Sequence, residues 1–211
     1  MMEYLVVIER CRCPLRSHHL IPPPHSTLQV DFERRKDGDI LNDCLMSING
    51  TDFRIPQTGM ATKGNSFASH KYAGKSALRY EIGVSILGGD LVWINGPYPA
   101  GTWTDIKIFN KVLRHFLEPG ERVEADNGYV GAADKIKCPL NPCNPVENEG
   151  KQSRVRSRHE TINGRFKTWQ VLKNTYRHDI KRHGEVFRAI AIITQLGIEH
   201  GEPLFQVEYE D

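Results

Sequence analysis

Nowhere in these 211 residues is there an apolar run of the roughly 18–20 residues that a membrane-spanning helix needs. No association with a membrane is therefore expected. The short patch Tyr4-Leu5-Val6-Val7-Ile8 lacks the basic start and the small-residue cleavage site of a secretory leader. Cysteine is sparse and unsuitably spaced. There are five, with Cys11 and Cys13 two apart, Cys138 and Cys143 five apart, and Cys44 by itself. Neither pair has the C-x₂-C spacing of a zinc site, and no histidine pair completes one. Reduced thiols in an intracellular protein are expected, not a disulfide framework. A large excess of one charge is missing too: 28 Lys and Arg face 26 Asp and Glu, for a net of +2.

What is present suits a soluble globular domain. The chain is 39% hydrophobic and 26% charged, and its length is one domain's worth with a sizeable core. The small net charge hides a split. Between Lys151 and His183 there are ten Lys and Arg against Glu160 and Asp179, a local +8 that leaves −6 for everything else. A basic block on a mildly acidic protein points to a polyanion partner, with nucleic acid the first candidate.

Residues 1–29 read as a loose arm, with Cys11-Arg12-Cys13-Pro14, His18-His19 and Pro22-Pro23-Pro24-His25 but no periodicity. Its histidines suggest a mobile tail more than a metal site. A single domain is expected over residues 30–206, followed by an acidic tail, 207–211. Within it, Cys44–Asn49 reads as a strand closed by Gly50, and Thr51–Pro56 as a second short extended piece. Leu78–Leu87 alternates with Tyr80, Ile82, Val84 and Ile86 on one face, and Gly88-Gly89-Asp90 turns it into an antiparallel Leu91–Gly96. Pro97–Gly101 is a breaker cluster. A helix follows over Thr104–Leu117, with Thr104 as N-cap and Ile106, Phe109, Val112, Leu113 and Phe116 as its stripe. Arg122–Asp126 is a brief strand, and residues 132–150 are irregular. Helices are expected over Arg154–Trp169 and Asp179–Ile198, the second with Val186, Ile190, Ile193 and Leu196 towards the core. The order implies an α/β fold whose mixed sheet is antiparallel first and gains a parallel strand after a crossover helix. Trp93 and Trp169 are expected in the core, whereas Trp103, in a Gly-containing loop, is left open for stacking on a base.

Three polar residues stand where ligands gather, outside the carboxyl ends of strands. Asn49 closes the first strand, Asp126 closes the strand after the crossover helix, and Glu160 lies on the following helix among Arg156 and Lys167. With the first and fourth strands adjacent, these three would form an oxygen-rich site for divalent cations acting on a phosphodiester. A solvated helix with ordinary charge pairs is the plainer reading of Arg156, Glu160 and Lys167 alone.

The stretches Cys44–Phe53, Gly101-Thr102-Trp103-Thr104-Asp105-Ile106, Ala125-Asp126-Asn127-Gly128-Tyr129 and Arg156–Lys167 resemble, in order, the DDE-type transposase/endonuclease domain of the PIF/Harbinger branch. The resemblance covers nearly all of residues 30–206. Asp126 and Glu160 have 33 residues between them, similar to the family's second-to-third acidic spacing, and Arg156-x₃-Glu160-x₆-Lys167 resembles a signature of related transposases. It implies an RNase H-like fold with a mixed central sheet flanked by helices, and metal-dependent cleavage and transfer of DNA strands with Mg²⁺ or Mn²⁺. Asn49, Asp126 and Glu160 would occupy the metal-ligand and catalytic positions, with Asp52 and Asp105 auxiliary. Arg154, Arg156, Arg158, Arg165 and Lys167 would face DNA. A nuclear location, self-association and a separate DNA-binding partner also belong to what the resemblance implies.

Two departures qualify it. The family's first acidic position is an Asp in an Asp-Gly-Thr context, and this chain has Asn49-Gly50-Thr51. An amide oxygen brings no charge to offset cations, so weakened or lost cleavage is expected. Asp52 is three residues on and should face the other way in a strand unless Gly50 makes a bulge. In addition, only the loose arm precedes residue 30, where such transposases resemble longer chains with a helical DNA-binding region. The alternative is a catalytically inactive, domesticated DNA-binding module that keeps the fold.

Overall fold

The computed structural model describes residues 30–36, 44–57, 65–139 and 149–205, with side chains in the long third-quarter helix from Ser157 onward. The proposed arm, the acidic tail, Cys11, Cys13 and Cys143 lie outside these residues, as do the side chains of Arg154 and Arg156.

Strand β1 (Cys44–Arg54) is the centre of a five-stranded mixed sheet. It runs straight through Gly50, so the two expected extended pieces are one strand. Glycine is tolerated there because the space a Cβ would take is occupied by the Asp105 carboxylate. β2 (Ala77–Ser85) pairs antiparallel with β1, and β3 (Leu91–Pro99) antiparallel with β2. β3 continues past the expected breaker at Pro97, because as an edge strand it can do without the proline N–H. β4 (Arg122–Ala125) lies parallel to β1 on its other side, and the two-residue β5 (Ile136–Lys137) parallel to β4. The spatial order is β3-β2-β1-β4-β5. β5, too short to show any periodicity, was absent from the sequence reading.

Each face of the sheet is covered. On one side α1 (Asp105–Lys111) buries Ile108 and packs Phe109 into a core with Met46, Ile48, Val123 and Ala125. Thr104 is its N-cap by backbone geometry but makes no side-chain capping bond. α1 is shorter than expected. Val112 leaves the α region at φ −129°, ψ −71°, and a 3₁₀ turn, Leu113–His115, carries the chain on to bury Leu113 and Leu117. Phe116, expected in the stripe, is exposed.

On the other side lie α2 (Glu149–Thr168), the short α3 (Gln170–Lys173) and α4 (His183–Glu199). Their core is aromatic: Phe53, Tyr80, Phe166 and Phe187 meet with ring centroids 4.0–6.5 Å apart. α4 buries Phe187, Ile190, Ala191, Thr194 and Ile198, and Ile193 is exposed, so the helix is rotated from the expected stripe. Gln195 fixes that rotation by accepting a hydrogen bond from Leu91 N at 2.7 Å. Trp93 is buried as expected, but Trp169 is 40% exposed and caps α3, since Phe166 fills the core one turn earlier. Cys44 and Cys138 are buried thiols. No helix among the described residues is long and apolar enough to cross a membrane.

Candidate functional site beside β1 and β4

Alternation along β1 sorts its polar residues between the two faces. Met46 and Ile48 belong to the α1 side, and so do Gly50 and Asp52. Ser47 and Phe53 belong to the α2 side, and so does the half-buried Asn49. No bulge at Gly50 alters this: pairing with β2 is regular from Met46 to Arg54. Asp52 thus stands on the opposite face from Asn49 and does not replace it.

β4 supplies the second position. Ala125 pairs with Ile48, and Asp126 is the next residue, with extended backbone at φ −81°, ψ −178°. Asp126 follows the last residue of β4 and its carboxylate lies near that of Asp105, the two flanking the space beside Gly128. Its Oδ1 accepts from Gly128 N at 2.9 Å and starts the 3₁₀ turn Asn127–Tyr129. That turn holds the carboxylate at the sheet end.

Glu160 comes from α2, whose position over β1 is set by the preceding residue. His159 is buried, and its Nε2 lies 2.9 Å from Ser47 Oγ. Burial pushes its imidazole down to about 4, so the ring is neutral in this contact. Glu160 itself is exposed. Asn49, expected to close the first strand, instead lies in the middle of β1, level with the carboxyl end of β4; α2, which carries Glu160, covers the face of Asn49, whereas the Asp126 carboxylate lies near Asp105. Among the described residues no three His, Cys, Asp or Glu side chains form a ready metal cluster. The donors in this region are all oxygens, two carboxylates and an amide, a set suited to Mg²⁺ or Mn²⁺ and lacking one charge.

The α1 face holds a second polar group, sealed from water. Asp52 is fully buried and paired with Arg79, whose Nε and Nη2 donate to it at 2.8 and 3.1 Å; Ser69 Oγ adds a bond at 2.5 Å. Arg79 Nη1 lies 3.3 Å from Asp105 Oδ1 and donates to Trp103 O at 3.2 Å. Asp105 is therefore no mere capping residue. Burial raises its pKa despite Arg79. A Cβ added to Gly128 would meet Asp105 Oδ2 at 2.9 Å and Asp126 Oδ1 at 3.0 Å, so the two carboxylates flank that glycine. Deeper in, Glu81 accepts from Trp93 Nε1 at 2.9 Å, and burial pushes its carboxyl up to about 8.

The basic residues divide. Arg158, expected on DNA, is 1% exposed and ties α2 to the end of β2 by donating to Ser85 O and Ile86 O, with a further bond to Phe205 O at 2.9 Å. Its charge serves the fold, so it leaves the DNA-facing set. Arg165 is half-buried and Lys167 exposed. Trp103 is half-buried against Tyr98, with Lys111 Nζ 4.4 Å above its ring.

Sequence reading missed Arg79, Glu81 and His159. The signal for the first two was there: they alternate with Tyr80 and Ile82, and only a sheet covered on both faces makes such positions buried. No family model, curated protein or solved structure matches the chain.

Proposed function

We propose that this chain is a DDE-type, RNase H-like nuclease domain of transposon origin that acts on DNA phosphodiesters with Mg²⁺ or Mn²⁺ and is weakened by the neutral Asn49. The observation that supports the reading is the strand order β3-β2-β1-β4-β5 with β4 parallel to β1, in which the backbone of Asp126 comes level with Asn49 and the helix carrying Glu160 covers the Asn49 face of the sheet. The four family-like sequence stretches support it from an independent side.

In this reading Asp126, Glu160 and Asn49 hold the cation, which when bound activates water and stabilises the leaving oxygen. The chain's own contribution is positioning. The Gly128 hydrogen bond aims Asp126, and the Ser47–His159 contact fixes the register of α2 and hence the backbone at Glu160. Lys167, two turns along the same helix, supplies a cation for DNA phosphate.

A second reading, a DNA-binding module without chemistry, is favoured by Asn49 itself. The two separate in an assay of Mn²⁺-dependent nicking of supercoiled plasmid. The natural protein and Asn49→Asp are run together, with Glu160→Gln as the blank. We expect nicking after Asn49→Asp and little or none before, with none in the blank. Absence of nicking in both, alongside salt-sensitive DNA binding that needs no metal, would hand the function to the binding module.

A further inference from the structure

Asp105 sits between two glycines that the backbone does not require. Neither Gly50 nor Gly128 has a positive φ, so other residues could adopt their conformation. What excludes a side chain at both is the Asp105 carboxylate. Its Oδ1 occupies the place of a Cβ at Gly50, and its Oδ2 would lie 2.9 Å from a Cβ at Gly128. Asp126 Oδ1 would meet that same Cβ at 3.0 Å. Carboxylate oxygens from two different elements thus come within 3.0 Å of one point, beside an exposed glycine.

Two like charges so close repel unless a positive charge is shared between them. The cations that act on Asp105 are Arg79 and Lys71. Arg79 is committed to Asp52 through Nε and Nη2 and meets Asp105 only at Oδ1. Lys71 is bonded to the Gly50 carbonyl. Among the described residues neither cation pairs with Asp126, whose carboxylate accepts from Gly128 N. Behind the pair stand two fully buried polar side chains. Glu81 lies directly across from Gly50 in the β1–β2 ladder, so its side chain shares the face on which Asp105 sits. Its Oε1 has no hydrogen-bond partner of good geometry, although Asn95 and Tyr129 lie beside the carboxyl. Tyr129 Oη has none either, and the anions acting on it are Glu81, Asp105 and Asp126, which places it among the three. Native proteins rarely leave such groups without a partner.

We propose that Asp105 and Asp126 together hold a divalent cation on the Gly128 side of the sheet, with Glu81 and Tyr129 bonding to the waters it carries. Mg²⁺ and similar ions take one or two carboxylates and keep several waters, which is what this corner offers. The cation cancels the repulsion between the two carboxylates, and its waters supply the partners that Glu81 Oε1 and Tyr129 Oη need. The site shares Asp126 with the nuclease reading but rests on neither Asn49 nor Glu160, so the two can fail separately.

The test is Mn²⁺ binding by the full chain, read by calorimetry and by the rise in melting temperature with added Mn²⁺. The natural protein is compared with Asp105→Asn, Gly128→Ala and Glu160→Gln. We expect Asp105→Asn and Gly128→Ala each to weaken Mn²⁺ binding at least about tenfold, the first by removing a charge, the second by setting a methyl between the two oxygens. Glu160→Gln should keep the Mn²⁺ that depends on Asp105. Asp105 also faces Arg79, so should Asp105→Asn fail to fold, Gly128→Ala, in an exposed turn, decides. Unchanged Mn²⁺ affinity in the variants at 105 and 128, with loss in Glu160→Gln, overturns this site and leaves the nuclease reading standing. Loss at 105 and 128 with no change in Glu160→Gln upholds the site and removes the cation of the nuclease reading. Absence of any Mn²⁺ binding by the natural protein overturns both.

Discussion

The two faces of one sheet treat their polar residues in opposite ways. On the α1 side Asp52, Arg79 and Glu81 are buried, Asp105 is half-buried, and each is paired with another of them or with Trp93. On the α2 side Asn49 is half-exposed and Glu160 exposed, with Asp126, half-exposed, just past the end of β4. Buried charge that is paired internally is part of the fold, whereas polar groups left open at a strand end are available to a ligand. The same strand, β1, carries both kinds at alternating positions.

The largest effect should come from opening the sealed side. Arg79→Ala leaves the fully buried Asp52 without its counter-charge and should cost about 3–5 kcal/mol in chemical denaturation. Gly50→Ala pushes a methyl into the Asp105 carboxylate, which Arg79 holds in place, and should cost about 1–3 kcal/mol; adding Asp105→Ala should recover part of it. Next is a pH signature. Glu81, ordinarily near 4.5, is held at about 8, so its contribution to stability is complete below 4.5 and is lost as pH rises towards 8. His159 and His183, ordinarily near 6.5, are held at about 4, so theirs is complete above 6.5 and is lost as pH falls towards 4. Glu81→Gln should flatten the fall in melting temperature between pH 4.5 and 8 and leave the histidine-linked loss towards pH 4 in place. The smallest effect belongs to the open side: Asn49→Asp should change metal-free stability by less than about 0.5 kcal/mol, because position 49 is half-exposed. A larger loss there would mean that the open face is also structural.

Much of this division could be read from sequence. The hairpin β2–β3, the crossover helix, the parallel β4 and the odd offset of Asp52 from Asn49 all follow from short-range pattern. What escaped depends on the far side of each element. Arg79 and Glu81 look like ordinary outward positions of an alternating strand until a helix covers them. Arg158 looks like one of several interchangeable cations until α2 is docked and its guanidinium meets the carbonyls ending β2. Ile193 and Trp169 fit a helical stripe, yet the choice of which stripe faces inward was made by Phe187, Phe166 and Gln195.

Position 49 also has a genetic reading. Asparagine and aspartate codons differ by a single base transition. Asn49 is half-exposed, and its side chain makes no hydrogen bond to a described residue, whereas neighbouring Gly50 and Asp52 are locked by Asp105 and Arg79. A lineage carrying this gene can therefore exchange the neutral and the charged form of position 49 in one step, in either direction, without passing through a misfolded intermediate. Selection on folding would be blind to that exchange, and only selection on what the site binds or does would register it.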